Sequence, residues 1–169
     1  MSVRLATPLD AQAIGQIRVD AWRAAYRSFM PLDYLQTLDQ AANLDELAER
    51  LSNPSPEFMV FVAEDQGDTA GFAIIGAPRY QTLALTVELW ALNVSPAYWR
   101  RGLGKQLVEY AVAESCGLGF ARIELWCING NAPAEATYVA CGFTSTGTER
   151  ISSALTGHPL HEALYAKTL

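Results

Sequence analysis

The chain has 169 residues, half of them apolar, with a formal charge of −6 and no run of lysine or arginine. That length suffices to bury about two-thirds of the unfolded surface in one core, so residues 1–169 are expected to form a single domain, and the lack of clustered cations excludes nucleic acid as a partner. No stretch approaches the roughly 18 to 20 apolar residues of a membrane span, and Met1 to Pro8 has no secretory apolar run, so the expected location is cytoplasmic.

Val3 to Ala6 reads as a short strand, after which Thr7-Pro8-Leu9-Asp10 carries a Thr cap, proline at the first helical position and an acid three residues after the cap. A helix is expected to start there and run to about Tyr26, because Ala11, Ile14, Ile17, Ala21, Trp22 and Ala25 recur at spacings of three and four. Pro31 restarts a short helix, and Leu44, Leu47, Ala48 and Leu51 mark another that stops before Asn53-Pro54. The run Phe58 to Ala63 is short, β-prone and almost continuously apolar, as a buried strand would be. Gln66-Gly67-Asp68 turns it into a hairpin with Ala70 to Ile75.

A longer strand is expected at about Leu83 to Val94, closed by Ser95-Pro96, then a helix from Leu103 to Gly117. Strand Ala121 to Ile128, helix Ala132 to Ala140, strand Phe143 to Ile151 and strand Leu160 to Lys167 complete the chain. Two strand–helix–strand units imply some parallel pairing beside the antiparallel hairpin. The expected fold is therefore α/β: a mixed, mostly antiparallel, twisted sheet of about seven strands with helices on both faces.

The segment Val94 to Leu107 places Gly102 and Gly104 between a strand end and a helix start, where free N–H groups at the positive end of a helix suit phosphate oxygens. Arg100, Arg101 and Lys105 add positive charge. The P-loop run GxxxxGK[ST] is missing, and Leu107 occupies the third glycine position of a dinucleotide fingerprint. Farther on, Asn131, Ala134, Tyr138, Gly142 and Phe143 form N-x-x-A-x-x-x-Y-x-x-x-G-F.

With the strand ending Val-Ser-Pro, the glycine turn and this run in order, nearly the whole chain resembles the GNAT superfamily of N-acetyltransferases. The resemblance implies acetyl-CoA as co-substrate and no metal. It implies that the backbone of Leu92, Asn93 and Val94 pairs with the pantetheine arm, and that the N–H groups from Arg100 through Arg101, Gly102, Leu103 and Gly104 to Lys105 hold the pyrophosphate. It further implies that Asn131 contacts the cofactor arm and that Tyr138 lies near its sulfur. In the family motif Q/R-x-x-G-x-G/A this chain departs at Trp99, where a side-chain contact would be lost or supplied by Arg100.

An amine of pKa near 10 must lose a proton before attacking a thioester. Glu88 is the expected base, since a period of two puts it on one strand face with Trp90, Leu92 and Val94, in a partly apolar setting. Tyr138 is the expected acid for the leaving thiolate. Trp22, Tyr26 and Phe29 on the first helices, with Trp90, are the expected acceptor-binding residues, for a small-molecule amine. A protein N-terminus or lysine is the alternative acceptor, and a non-catalytic CoA-binding module the alternative of another class. Family members frequently dimerise, which leaves a homodimer open. Cys116, Cys127 and Cys141 are odd in number without CxxC spacing, so neither a disulfide framework nor a zinc site is expected. His158-Pro159-Leu160-His161 lacks the carboxylate spacing of a metal site.

Overall fold

The computed structural model describes residues 1–169. Its strands are β1 (Ser2–Leu5), β2 (Phe58–Asp65), β3 (Asp68–Gly76), β4 (Thr86–Val94), β5 (Arg122–Ile128), β6 (Thr144–Ser152) and β7 (Leu160–Thr168). Its helices are α1 (Ala11–Ala25), α2 (Leu32–Thr37), α3 (Leu44–Ser52), α4 (Leu103–Gly117) and α5 (Ala132–Ala140). The strands form one seven-stranded sheet in the order β1-β2-β3-β4-β5-β7-β6. All neighbours are antiparallel except β4 and β5.

β2 reads as an unbroken apolar run because both of its faces are covered. Phe61 and Ala63 join the core beneath α4, with Ile75, Leu89, Leu107 and Ala111. Val60 and Val62 point the other way, toward Ile14 and Ile17 of α1 and Leu51 of α3. The edge strand β6 is polar and exposed along most of its length, which discourages pairing with another chain.

Three expectations change. Thr7 caps a single 3-10 turn, Pro8–Asp10, and the α-helix begins only at Ala11. β4 starts at Thr86, three residues later than expected, because Leu85 takes a left-handed φ of 56° that interrupts an extended strand. Only the first strand–helix–strand unit yields a neighbouring parallel pair; β7 inserts between β5 and β6, so those two strands do not touch.

At the first turn, the Asp10 carboxylate accepts the Thr7 N–H at 2.7 Å and the Arg4 guanidinium at 2.8 and 2.9 Å. Burial pushes this carboxyl up, but the bonds from Arg4 and Thr7 outweigh it and hold it below its ordinary value. A lowered carboxyl stabilises the fold above its unfolded pKa and loses that contribution as pH falls through the folded value. Asp10→Asn is expected to cost about 2 kcal/mol at neutral pH. Its denaturation free energy should also fall less steeply than that of the parent below about pH 4, the ordinary carboxylate range.

Candidate active site

β4 and β5 pair at only three positions, Thr86 with Arg122, Val87 with Ile123 and Glu88 with Glu124. Beyond Glu88, β4 remains bonded to β3 alone, and from Leu125 onward β5 is bonded to β7 alone. Two parallel strands therefore part in mid-sheet and leave facing edges whose N–H and C=O groups lack a strand partner. An extended amide-bearing chain satisfies such an edge by β-addition.

A bulge opposite Ile74 and Ile75 inserts Trp90 into the same part of β4. Trp90 and Ala91 consequently both pack toward α1, while Leu92 and Val94 pack toward α4. This corrects the period-two expectation: Glu88 does not share a face with Leu92 and Val94, because one extra residue reverses the alternation.

Past β4 the chain turns through Pro96–Tyr98 into α4. Arg100 and Gly102 take φ values of 61° and 83°. None of the backbone N–H groups from Arg100 to Lys105 donates within the protein; the first that does is Gln106, to Gly102 O at 3.1 Å. Six donors at a helix N-terminus thus stand free for an anion. A Cβ on Gly104 would find Leu92, Val94 and Thr137 no nearer than 3.9 Å, so an open space separates the start of α4 from the end of β4 and from α5. The residues present fit the phosphates and arm of a CoA thioester.

The three expected cations are not equivalent. Arg101 binds Asp65 at 3.1 Å and stacks over Tyr98, and Lys105 lies 3.6 Å from Glu109. Arg100 has no acidic partner and is the available one. Trp99, where the family motif has Gln or Arg, donates its indole N–H to Val94 O at 2.7 Å and so ties the turn to the end of β4.

Asn131 caps α5 through its backbone, accepting the N–H groups of Ala134 and Glu135, and leaves its half-buried carboxamide free. Two helical turns later Tyr138 is buried against Phe143. Burial pushes the Tyr138 phenol up, with Cys127 and Tyr26 nearby adding to it, so it holds its proton across the neutral range. Burial likewise pushes Tyr26 and the Cys127 thiol up to about 12. A thiol so raised is a poor nucleophile, which suits a packing role for Cys127.

Glu88 is 1% exposed. Its Oε2 accepts the Arg79 N–H at 2.9 Å and Nε at 3.3 Å, and its Oε1 accepts Arg79 Nη2 at 2.7 Å. The partly apolar surroundings expected for it are thus replaced by an ion pair. Beside it in register lies Glu124, 2% exposed, which sequence reasoning missed. Glu124 accepts from Tyr80 at 2.9 Å, Thr82 at 2.8 Å and Arg122 at 2.6 Å. Burial raises the Glu124 carboxyl, but these bonds prevail and keep it below its usual range. Together the two carboxylates pin the loop that joins β3 to β4.

The expected acceptor residues divide. Trp22 and Trp90 line one cavity of about 270 Å³, with Ile14, Phe72 and Ala91. Tyr26 and Phe29 pack instead with Met30, Leu160 and Ile128, near the end of β5. A larger, shallower cavity of about 540 Å³ lies outside Trp90, against Phe58 and Ala77, and takes in none of Leu92 to Val94.

Residues 17–143 match the model of the acetyltransferase (GNAT) family. The uncharacterized N-acetyltransferase YuaI of Bacillus subtilis is 31% identical over 132 residues, covering 78% of this chain and 73% of the relative. The [ribosomal protein bS18]-alanine N-acetyltransferase of Escherichia coli is 31% identical over 99 residues, 59% of this chain and 64% of the relative. A phosphinothricin acetyltransferase of Sinorhizobium meliloti, solved with acetyl-CoA, shares the fold with a TM-score of 0.78 at 24% identity, over 99% of this chain and 88% of that one. The parted strands, the free N–H turn and these matches agree, and the chain belongs to the GNAT family of N-acetyltransferases.

Proposed function

We propose that the protein transfers an acetyl group from acetyl-CoA to the primary amine of a small molecule, by direct attack within a ternary complex. The observation that carries this reading is the edge of β4 beyond Glu88, which no strand covers, running into the unpaired N–H groups of Arg100 to Lys105. On this reading the backbone of Leu92, Asn93 and Val94 holds the pantetheine arm, the turn from Arg100 to Lys105 holds the pyrophosphate, and the Asn131 carboxamide contacts the arm. The donor supplies the thioester carbon. The amine nitrogen bonds to it, the C–S bond breaks, and the nitrogen loses a proton.

Glu88 takes that proton through a water seated on Oε1, which has one protein donor and so retains a lone pair. Tyr138 offers its hydroxyl hydrogen to the departing sulfur. Tyr138→Phe keeps the ring against Phe143 and removes only that hydrogen bond. A bond to a charged group is worth about 1.5 to 3 kcal/mol, so kcat should fall about tenfold to a hundredfold while KM for acetyl-CoA stays within about twofold.

A small acceptor is favoured over a protein because Trp22 and Trp90 line a cavity of about 270 Å³, the size of a small metabolite. The test is thiol release from acetyl-CoA in the presence of amines, amino acids, aminoglycosides and peptides. Release with small amines is the expected result. Release with peptides alone would transfer the reading to a protein acceptor, and acetyl-CoA binding without release to any acceptor would make the chain a binding module.

A further inference from the structure

The cavity between α1, α3 and β4 contains polar groups that the fold itself leaves unused. Asn93 is 7% exposed, and its carboxamide makes no hydrogen bond within the protein although it lines the cavity. Arg18, from α1, also lines it; its Nε is buried without a partner, while Nη2 is held by Asp39 O at 3.1 Å. A buried guanidinium N–H left unpaired costs free energy unless something occupies it. Arg50 reaches the same cavity from α3, stacked 3.4 Å over the Phe58 ring and without an acidic partner. Two cations therefore face the cavity against one carboxylate, Glu46. Apart from Asn43 the remaining walls are apolar, including Ile14, Phe72 and Ala91.

The cavity touches β4 at Trp90, Ala91 and Asn93, within the stretch whose other edge is unpaired. The backbone of Asn93 pairs with Phe72 of β3, while its neighbours Leu92 and Val94 turn theirs to the uncovered edge and the Asn93 side chain enters the cavity. A molecule seated against Arg18 and Asn93 thus lies across one strand from the place proposed for the thioester. Its volume of about 270 Å³ suits a compound the size of an amino acid.

We infer that the acceptor is a primary amine of amino-acid size that carries a carboxylate, with Arg18, Asn93 and Arg50 binding the carboxylate and the apolar walls taking its side chain. This rests on the reading of the chain as a small-molecule N-acetyltransferase and narrows the substrate class of that site.

The experiment measures binding by calorimetry to the CoA-saturated protein. The probes are L-phenylalanine, L-leucine and L-methionine, each against its decarboxylated partner: phenethylamine, isoamylamine and 3-methylthiopropylamine. At least one acid should bind tenfold or more tightly than its partner. Arg18→Met, which removes the guanidinium, and Asn93→Asp, which adds a repelling charge, should each shrink that ratio below threefold. No binding by any of the three acids, equal binding of acids and amines, or a ratio that both variants leave intact would overturn the inference.

Acetyl transfer to the same compounds, measured in parallel, separates the two claims. Carboxylate-dependent binding without transfer keeps the carboxylate site and removes the transfer reading, and with it the ligand's role as acceptor. Transfer that ignores the carboxylate does the opposite.

Discussion

Gly104→Val is expected to raise KM for acetyl-CoA about a hundredfold and to leave the fold intact. The two halves of that expectation come from one geometric fact. A Cβ at this position meets nothing closer than 3.9 Å, from Leu92, Val94 and Thr137, which is ordinary contact distance, and the backbone there is helical. Valine is no poorer a helix former than glycine, so the half-buried first turn loses nothing in propensity. Its two methyl groups, however, would occupy the space between the start of α4 and the end of β4, into which the unpaired N–H groups of the turn open. Losing part of a multi-donor anion site and obstructing the arm at about 2.7 kcal/mol corresponds to the hundredfold change. Equilibrium binding of acetyl-CoA and a thermal melt in its absence check the two halves. A normal affinity would show that the cofactor does not pass this glycine, and a lowered melting temperature would show that the space was needed for packing.

Legibility in the sequence followed the range of the interactions involved. The helix Ala132–Ala140 and the start of α4 at Leu103 were readable because their signals are local: proline and glycine at fixed places and apolar spacing within a few residues. Seven strands were readable from composition and turns, though the place of β7 between β5 and β6 was not, since strand order depends on how distant segments pack. The bulge at Trp90 carries no glycine or proline to announce it, yet it decides which way Leu92 and Val94 point. Glu124 was invisible as a partner of Glu88 because only the parallel register, set between segments 36 residues apart, brings them side by side. Arg79, Tyr80 and Thr82 looked like the approach to a strand, and two buried carboxylates hold them as a loop. For the candidate site, the glycine turn was legible as a local motif. The cavity was not, because Arg18, Arg50, Phe72 and Asn93 come from four separate elements.

Glu88→Gln is expected to lower kcat about a hundredfold with little change in KM for acetyl-CoA, the lower end of what a positioned general base contributes. The ion pair raises an objection, since a carboxylate that holds Arg79 through both oxygens and anchors a loop could owe its burial to architecture alone. Arg79→Met decides between the two roles. If Glu88 only anchors the loop, removing either partner breaks the same latch, and both variants should lose activity alike with parallel losses of stability. If Glu88 is the base, Arg79→Met leaves it in place but strips away the one opposite charge beside a carboxylate that is 1% exposed. Arg79→Met should then lose stability but keep most of kcat, whereas Glu88→Gln should lose kcat about a hundredfold whatever its stability. A kcat in Glu88→Gln close to that of the parent would assign the proton to another group.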